Sequence, residues 1–99
     1  MASQTTVAYT ARDLAAAEEN QRLIDAVFAE LAEVRPAGLT YRVSRSEDGL
    51  DFTHAAVIEN EPNPLQALAS FQAFSSTVAE RIVGPPVVRT GDVVARYPA

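Results

Sequence analysis

Three polar side chains in strand-like, alternating stretches carry most of the chemistry this sequence can offer: Tyr41, Arg42 and His54. His54 is the only histidine, so any imidazole acid, base or ligand has to be this residue. With Arg42 and His54 as cross-strand neighbours beside Tyr41 or Tyr9, the guanidinium can hold a carboxylate or phenolate while the imidazole takes or gives a proton. The plainer alternative is a strand histidine whose nitrogens are satisfied by a neighbour. Tyr9, Phe28, Phe52, Phe71 and Phe74 are the candidate ligand-binding residues, aromatic side chains that can wall a pocket for a ring or simply fill a core.

Other chemistries are removed by composition and spacing. The chain has no cysteine, hence no disulfide, thiolate nucleophile or cysteine-based metal site. One histidine without carboxylates at ligand spacing predicts no metal site, and Glu18-Glu19 and Glu59-Asn60-Glu61 read as solvated surface, not as a calcium loop. Gly-rich phosphate loops, nucleophile elbows and H-E-x-x-H are absent. A net charge of -5, from 13 acidic and 8 basic residues, opposes binding to nucleic acid or anionic lipid. The N-terminal residues show no basic start or apolar core, and no stretch reaches the roughly 18 apolar residues of a membrane helix, so the expected location is the cytoplasm.

The elements that must position these residues follow from periodicity. Residues 5–10 alternate as a strand, and Asp13 to Val34 carries a helical stripe through Ile24, Val27, Phe28 and Leu31 with a possible N-cap at Asp13. Leu39 to Ser44 and Phe52 to Ile58 alternate again, joined by Ser46-Glu47-Asp48-Gly49. That turn predicts a three-residue loop with a glycine bulge, which pairs Ser46 with Leu50, Ser44 with Phe52, Arg42 with His54 and Thr40 with Ala56. A two-residue Asp48-Gly49 loop would instead put Val43 opposite His54. Asn63-Pro64-Leu65-Gln66 is a strong helix start, an N-cap followed by proline and a capping-box glutamine, and predicts a helix from Pro64 to Val83. Gly84-Pro85-Pro86 stops it. The last stretch reads as an edge segment around Val87 to Arg89 and a proper strand from about Asp92 to Tyr97.

This order, β-α-β-β-α-β in a single domain over residues 1–99, predicts an α+β, ferredoxin-like subunit: a four-stranded antiparallel sheet with both helices on one face. In the bulged register Phe52, Ala56 and Ile58 lie on the face away from Leu39, Tyr41 and Val43. Leaving them in water would forgo about 1.5 to 3 kcal/mol for each large side chain, so Phe52 or Ile58 is expected to meet a partner subunit. So short a chain buries only about two-thirds of its unfolded surface, which also favours pairing.

Size, element order, the Asn63-Pro64-Leu65-Gln66 helix start with Phe71 and Phe74, and the Gly84-Pro85-Pro86 return into a valine-rich end resemble the dimeric α+β barrel superfamily. Within it, the chain is similar to small antibiotic-biosynthesis-monooxygenase-like proteins. The resemblance implies a homodimer with sheets face to face, a small organic ligand between each sheet and its own helices, and cofactor-independent oxygenation of an aromatic or carbonyl-bearing metabolite. The chain departs from the family in having no tryptophan, and its second helix lacks the histidine that haem-degrading relatives use. The competing class is a non-enzymatic dimeric barrel with a structural or ligand-sensing role. A sealed interior would favour that class, and an open cavity the enzyme.

Overall fold

The computed structural model describes residues 2–98. Its elements are β1 (Ser3–Thr10), α1 (Leu14–Val34), β2 (Leu39–Arg45), β3 (Asp51–Ile58), a 3-10 turn (Pro64–Ala67), α2 (Ala69–Thr77), a second 3-10 turn (Val78–Glu80) and β4 (Val87–Asp92). The strands form one antiparallel sheet in the order β2-β3-β1-β4. Tyr9, Phe52 and Ala56 from the sheet meet Ala17, Ile24 and Val27 of α1, with Leu65, Leu68 and Phe74 closing the core. This is the expected ferredoxin-like α+β fold.

The long helix begins where the sequence marks it. Asp13, in extended backbone, accepts a hydrogen bond from the Ala16 amide at 2.8 Å and so satisfies one of the free N–H groups of the first turn. Asp13→Ala is expected to cost about 1 kcal/mol. In thermal unfolding that is a fall in Tm of roughly 4–8 °C for a chain of this size; an unchanged Tm would show that the cap is dispensable.

The hairpin register differs from the bulged one. Val43 stands opposite His54, Tyr41 opposite Ala56 and Arg42 opposite Ala55. Ser46 and Asp51 now close a four-residue loop, in which the Asp51 amide donates to Ser46 Oγ and the Ser46 hydroxyl to Asp48 Oδ1. Gly49, at φ +82, makes the left-handed step. The extra residue is Leu50, whose carbonyl is taken by the Ala11 amide at 2.7 Å and cannot pair with Ser46. Because side chains alternate, this shift of one residue exchanges the faces of β2 relative to β3. The apolar face is thereby made whole: Leu39, Tyr41 and Val43 join Phe52, His54, Ala56 and Ile58 beneath the helices. Phe52 (1% exposed) and Ile58 are buried in their own subunit, and the expectation that one of them meets a partner is overturned. The open face carries Thr40, Arg42 and Ser44 beside Thr53, Ala55 and Val57.

Two other elements depart from expectation. The second helix is broken at Leu68, whose backbone is extended, and α2 starts anew with the Ser70 amide and hydroxyl both donating to Glu30 Oε1 of α1. The expected capping box is half made: Asn63 accepts from the Leu65 amide. The final strand is Val87–Asp92, continuous through Gly91, whereas 93–98 lie outside the sheet. β4 pairs with β1 from Ala8↔Val87 to Ser3↔Asp92, and the pairing closes with the Val93 amide donating to the Ala2 carbonyl, just before β1 begins at Ser3.

Candidate functional site

Between the sheet and the broken second helix lies a cavity of about 270 Å³. Its floor is the inward face of the three strands β2, β3 and β1, with His54 at the middle and Tyr41, Tyr9 and Val7 around it. Its roof is Leu65 of the first 3-10 turn with Phe71 and Phe74 of α2. The break at Leu68 is what lets both Leu65 and Phe74 face inward, as one straight helix would carry them past the same opening on different sides. Asn63, Gln66 and Ser75 add polar groups on the roof side.

The floor holds a chain of hydrogen bonds. Tyr9 and Tyr41 reach His54 from diagonal positions on the two flanking strands, one beside Phe52 and the other beside Ala56. The Tyr9 hydroxyl lies 2.6 Å from His54 Nε2, and the Tyr41 hydroxyl 2.6 Å from Nδ1. Asn20 of α1, fully buried, donates its amide to the Tyr9 oxygen at 2.9 Å. Arg81 in turn donates from Nε to Asn20 Oδ1 at 2.9 Å, and also to Thr77 Oγ1 and the Phe74 carbonyl. Its guanidinium sits over the Phe74 ring, 5.3 Å from the centroid.

Burial sets the protonation of the two tyrosines and the histidine. Desolvation pushes the Tyr9 phenol up to about 12, against the opposing pull of the Asn20 hydrogen bond and the Arg81 charge. Tyr41 is raised further, by burial and by the neighbouring Tyr9. Burial lowers His54 to about 4. At neutral pH both phenols therefore keep their protons and the imidazole is uncharged. Such a site is poor at storing charge and good at presenting one oriented hydroxyl to an apolar cavity.

Among the residues singled out from sequence, His54, Tyr41, Tyr9, Phe71 and Phe74 converge on this cavity. Arg42 does not: it lies exposed on the other sheet face, so the expected Arg42–His54 pair is not formed. Phe28 stacks on Tyr41 at 5.2 Å from outside and lines a separate surface recess with Leu31 and Pro36. Phe52 stacks on Tyr9 at 5.7 Å beneath the Arg45 guanidinium and supports the site without lining it. Asn20 and Arg81 were missed. A signal for Asn20 exists, since the stripe Ile24, Val27, Leu31 extended back by four lands on it. Among the described residues no group of three His, Asp or Glu side chains is placed to hold a metal ion, and no helix is long and apolar enough to cross a membrane.

No protein-family model and no curated protein matches the sequence. Solved structures do match. A candidate antibiotic biosynthesis monooxygenase from Nitrosomonas europaea aligns with a TM-score of 0.76 at 15% identity, over 98% of this chain and 92% of the other. SnoaB, a cofactor-independent oxygenase from Streptomyces nogalater, aligns with a TM-score of 0.69 at 13% identity, over 99% of this chain and 98% of its own. A dimeric ferredoxin-like protein from an uncultured marine organism aligns with a TM-score of 0.66 at 10% identity, over 99% and 92%. At these identities the likeness is one of fold, and the fold of this chain is that of the ferredoxin-like, antibiotic-biosynthesis-monooxygenase-like proteins.

Proposed function

We propose that the chain is a small-molecule enzyme of the monooxygenase-like kind, working as a homodimer on an aromatic or carbonyl-bearing substrate without a bound cofactor. The observation that carries this reading is the cavity itself, mainly apolar, with the tyrosine–histidine–tyrosine chain on its floor and Asn63, Gln66 and Ser75 on its roof side. An apolar cavity of roughly 150 Å³ is enough for benzene. One of about 270 Å³ suits a two-ring molecule. Its aromatic roof, Phe71 and Phe74 with centroids 6.3 Å apart, offers ring faces and edges to such a guest. An open cavity also weighs against a purely structural barrel, whose interior would be filled by side chains.

In this reading Tyr41 donates a hydrogen bond to the substrate oxygen as a neighbouring ring carbon gives up a proton to water, so that the charge is held as an enolate or phenolate. The electron-rich anion then reduces dioxygen directly. For a ring CH2 the balance is CH2 + O2 to C=O + H2O: one oxygen atom stays on carbon, the other leaves as water, and the substrate supplies all four electrons and both hydrogens. His54 holds Tyr41 in place and Arg42 has no part in the step. The homodimer is supported by the uncovered sheet face and by the fully exposed Val94 and Tyr97 beyond β4, apolar surface that a second copy can cover. A neighbour in fold that is called dimeric supports it as well.

Native mass spectrometry of the freshly purified protein, followed by oxygen uptake with two-ring phenols and ring ketones, tests the proposal. A dimer that retains such a molecule and consumes oxygen with it is the expected result. A monomer with an empty cavity that takes up no oxygen with any of them would overturn it.

A further inference from the structure

The hydrogen bonds of the buried chain have a direction, and Arg81 imposes it. A guanidinium only donates. Its Nε is 2.9 Å from Asn20 Oδ1, so the Asn20 amide must turn its Nδ2 to Tyr9 and donate there. Tyr9 thus receives a hydrogen from Asn20, and among the described residues the one acceptor within reach of its own proton is His54 Nε2. An uncharged imidazole that accepts at Nε2 carries its hydrogen on Nδ1, which donates to the Tyr41 oxygen. Among the described residues Tyr41 has no other hydrogen-bond partner, and its remaining proton is turned to the cavity it lines. With this assignment no buried side-chain nitrogen or oxygen of the described residues lacks a partner. Arg81 itself, 6% exposed, forms no ion pair with a carboxylate among the described residues, and its guanidinium donates to the neutral groups of Asn20, Thr77 and Phe74.

We propose that Asn20, locked by Arg81, is a positioning residue that sets the tautomer of His54 and so makes the cavity selective for ligands presenting a hydrogen-bond acceptor oxygen to Tyr41. A quinone, a ring ketone or a phenolate is of this class. The ligand part of the inference rests on reading the cavity as a binding site, whereas the tautomer part does not. Asparagine is decisive because it has one donor end and one acceptor end. Asn20→Asp keeps the shape, keeps an acceptor for Arg81 and replaces the donor facing Tyr9 by a second acceptor. The chain then runs backwards: Tyr9 donates to the carboxylate, His54 donates from Nε2 to Tyr9, and Tyr41 donates to the bare Nδ1. The cavity would meet an oxygen lone pair where it had met a proton.

The test is long-range proton–nitrogen correlation of the single histidine at mildly alkaline pH, in the wild type and in Asn20→Asp. Binding of 1,4-naphthoquinone is compared with binding of naphthalene in both proteins. The chain contains neither cysteine nor lysine, so the quinone meets no thiol or side-chain amine. The expected result is a protonated Nδ1 in the wild type and a protonated Nε2 in the variant. The quinone should be favoured roughly five- to tenfold over naphthalene by the wild type, the worth of one hydrogen bond, and near parity is expected in the variant. A wild type protonated at Nε2 overturns the proposal even if the variant does not fold, and so does a variant that keeps the wild-type tautomer. Failure of both probes to bind the wild type would instead overturn the cavity reading, with the nitrogen signals still deciding the role of Asn20.

Discussion

Tyr41→Phe is expected to lower kcat/KM for oxygenation by about 10²-fold, the loss typical of removing one donor aimed at a developing oxyanion. The fall should be in kcat more than in KM, because the hydrogen bond strengthens as the substrate oxygen gains charge. Stability should suffer less. The phenylalanine still stacks on Phe28, and the change leaves one buried hydrogen, that on His54 Nδ1, without its acceptor, a cost of about 1–2 kcal/mol. A Tyr41 that only filled space would show the reverse, a lowered Tm with kcat unchanged. Steady-state oxygen uptake and thermal unfolding on the same preparation separate the two.

Acidification is expected to remove about 3 kcal/mol of stability through His54 alone. Burial lowers its pKa from 6.5 to about 4 in the folded chain, so between these values the unfolded chain binds the proton and the folded chain resists it. Stability from this residue is constant above pH 6.5, declines as the pH falls through the interval, and is fully lost below about 4. Hydrogen bonding works in the same sense: an imidazolium donates from both nitrogens, and Tyr9, already receiving from Asn20, would be left with no acceptor for its own proton. Carboxylates that hydrogen bonding holds below their usual range, Glu30 by Ser70 and Asp48 by Ser46, also lose stabilising contacts in acid. Their share cancels in a comparison with His54→Gln. Urea unfolding of both proteins from neutral pH to pH 4 should show the wild type losing about 3 kcal/mol more than the variant. Parallel curves would mean that His54 titrates normally in the folded state.

Much of the architecture was legible in sequence because its signals are local. Asp13 caps α1 and Asn63 caps the first 3-10 turn through contacts two or three residues long. The hairpin register was not legible. It turns on the Leu50 carbonyl being claimed by Ala11, a contact between segments far apart in the chain, and one residue in the loop decides whether Arg42 or Tyr41 shares a face with His54. The same slip created the apparent apolar surface at Phe52 and Ile58 that had seemed to require a partner. The break at Leu68 was hidden because its remedy, Glu30, sits on the other helix. Arg81 looks in sequence like any solvent-facing cation near a helix end, and only the folded chain reveals that Asn20, Thr77 and Phe74 surround its guanidinium.

The account stands on the floor of the cavity being a ligand site, and the single histidine makes that directly observable. In a titration of the protein with 1-naphthol followed by proton NMR, the His54 ring signals should shift and saturate, and the same shift should be weakened in Tyr41→Phe. Ring signals of His54 that stay fixed while the naphthol binds elsewhere, or does not bind, would contradict it.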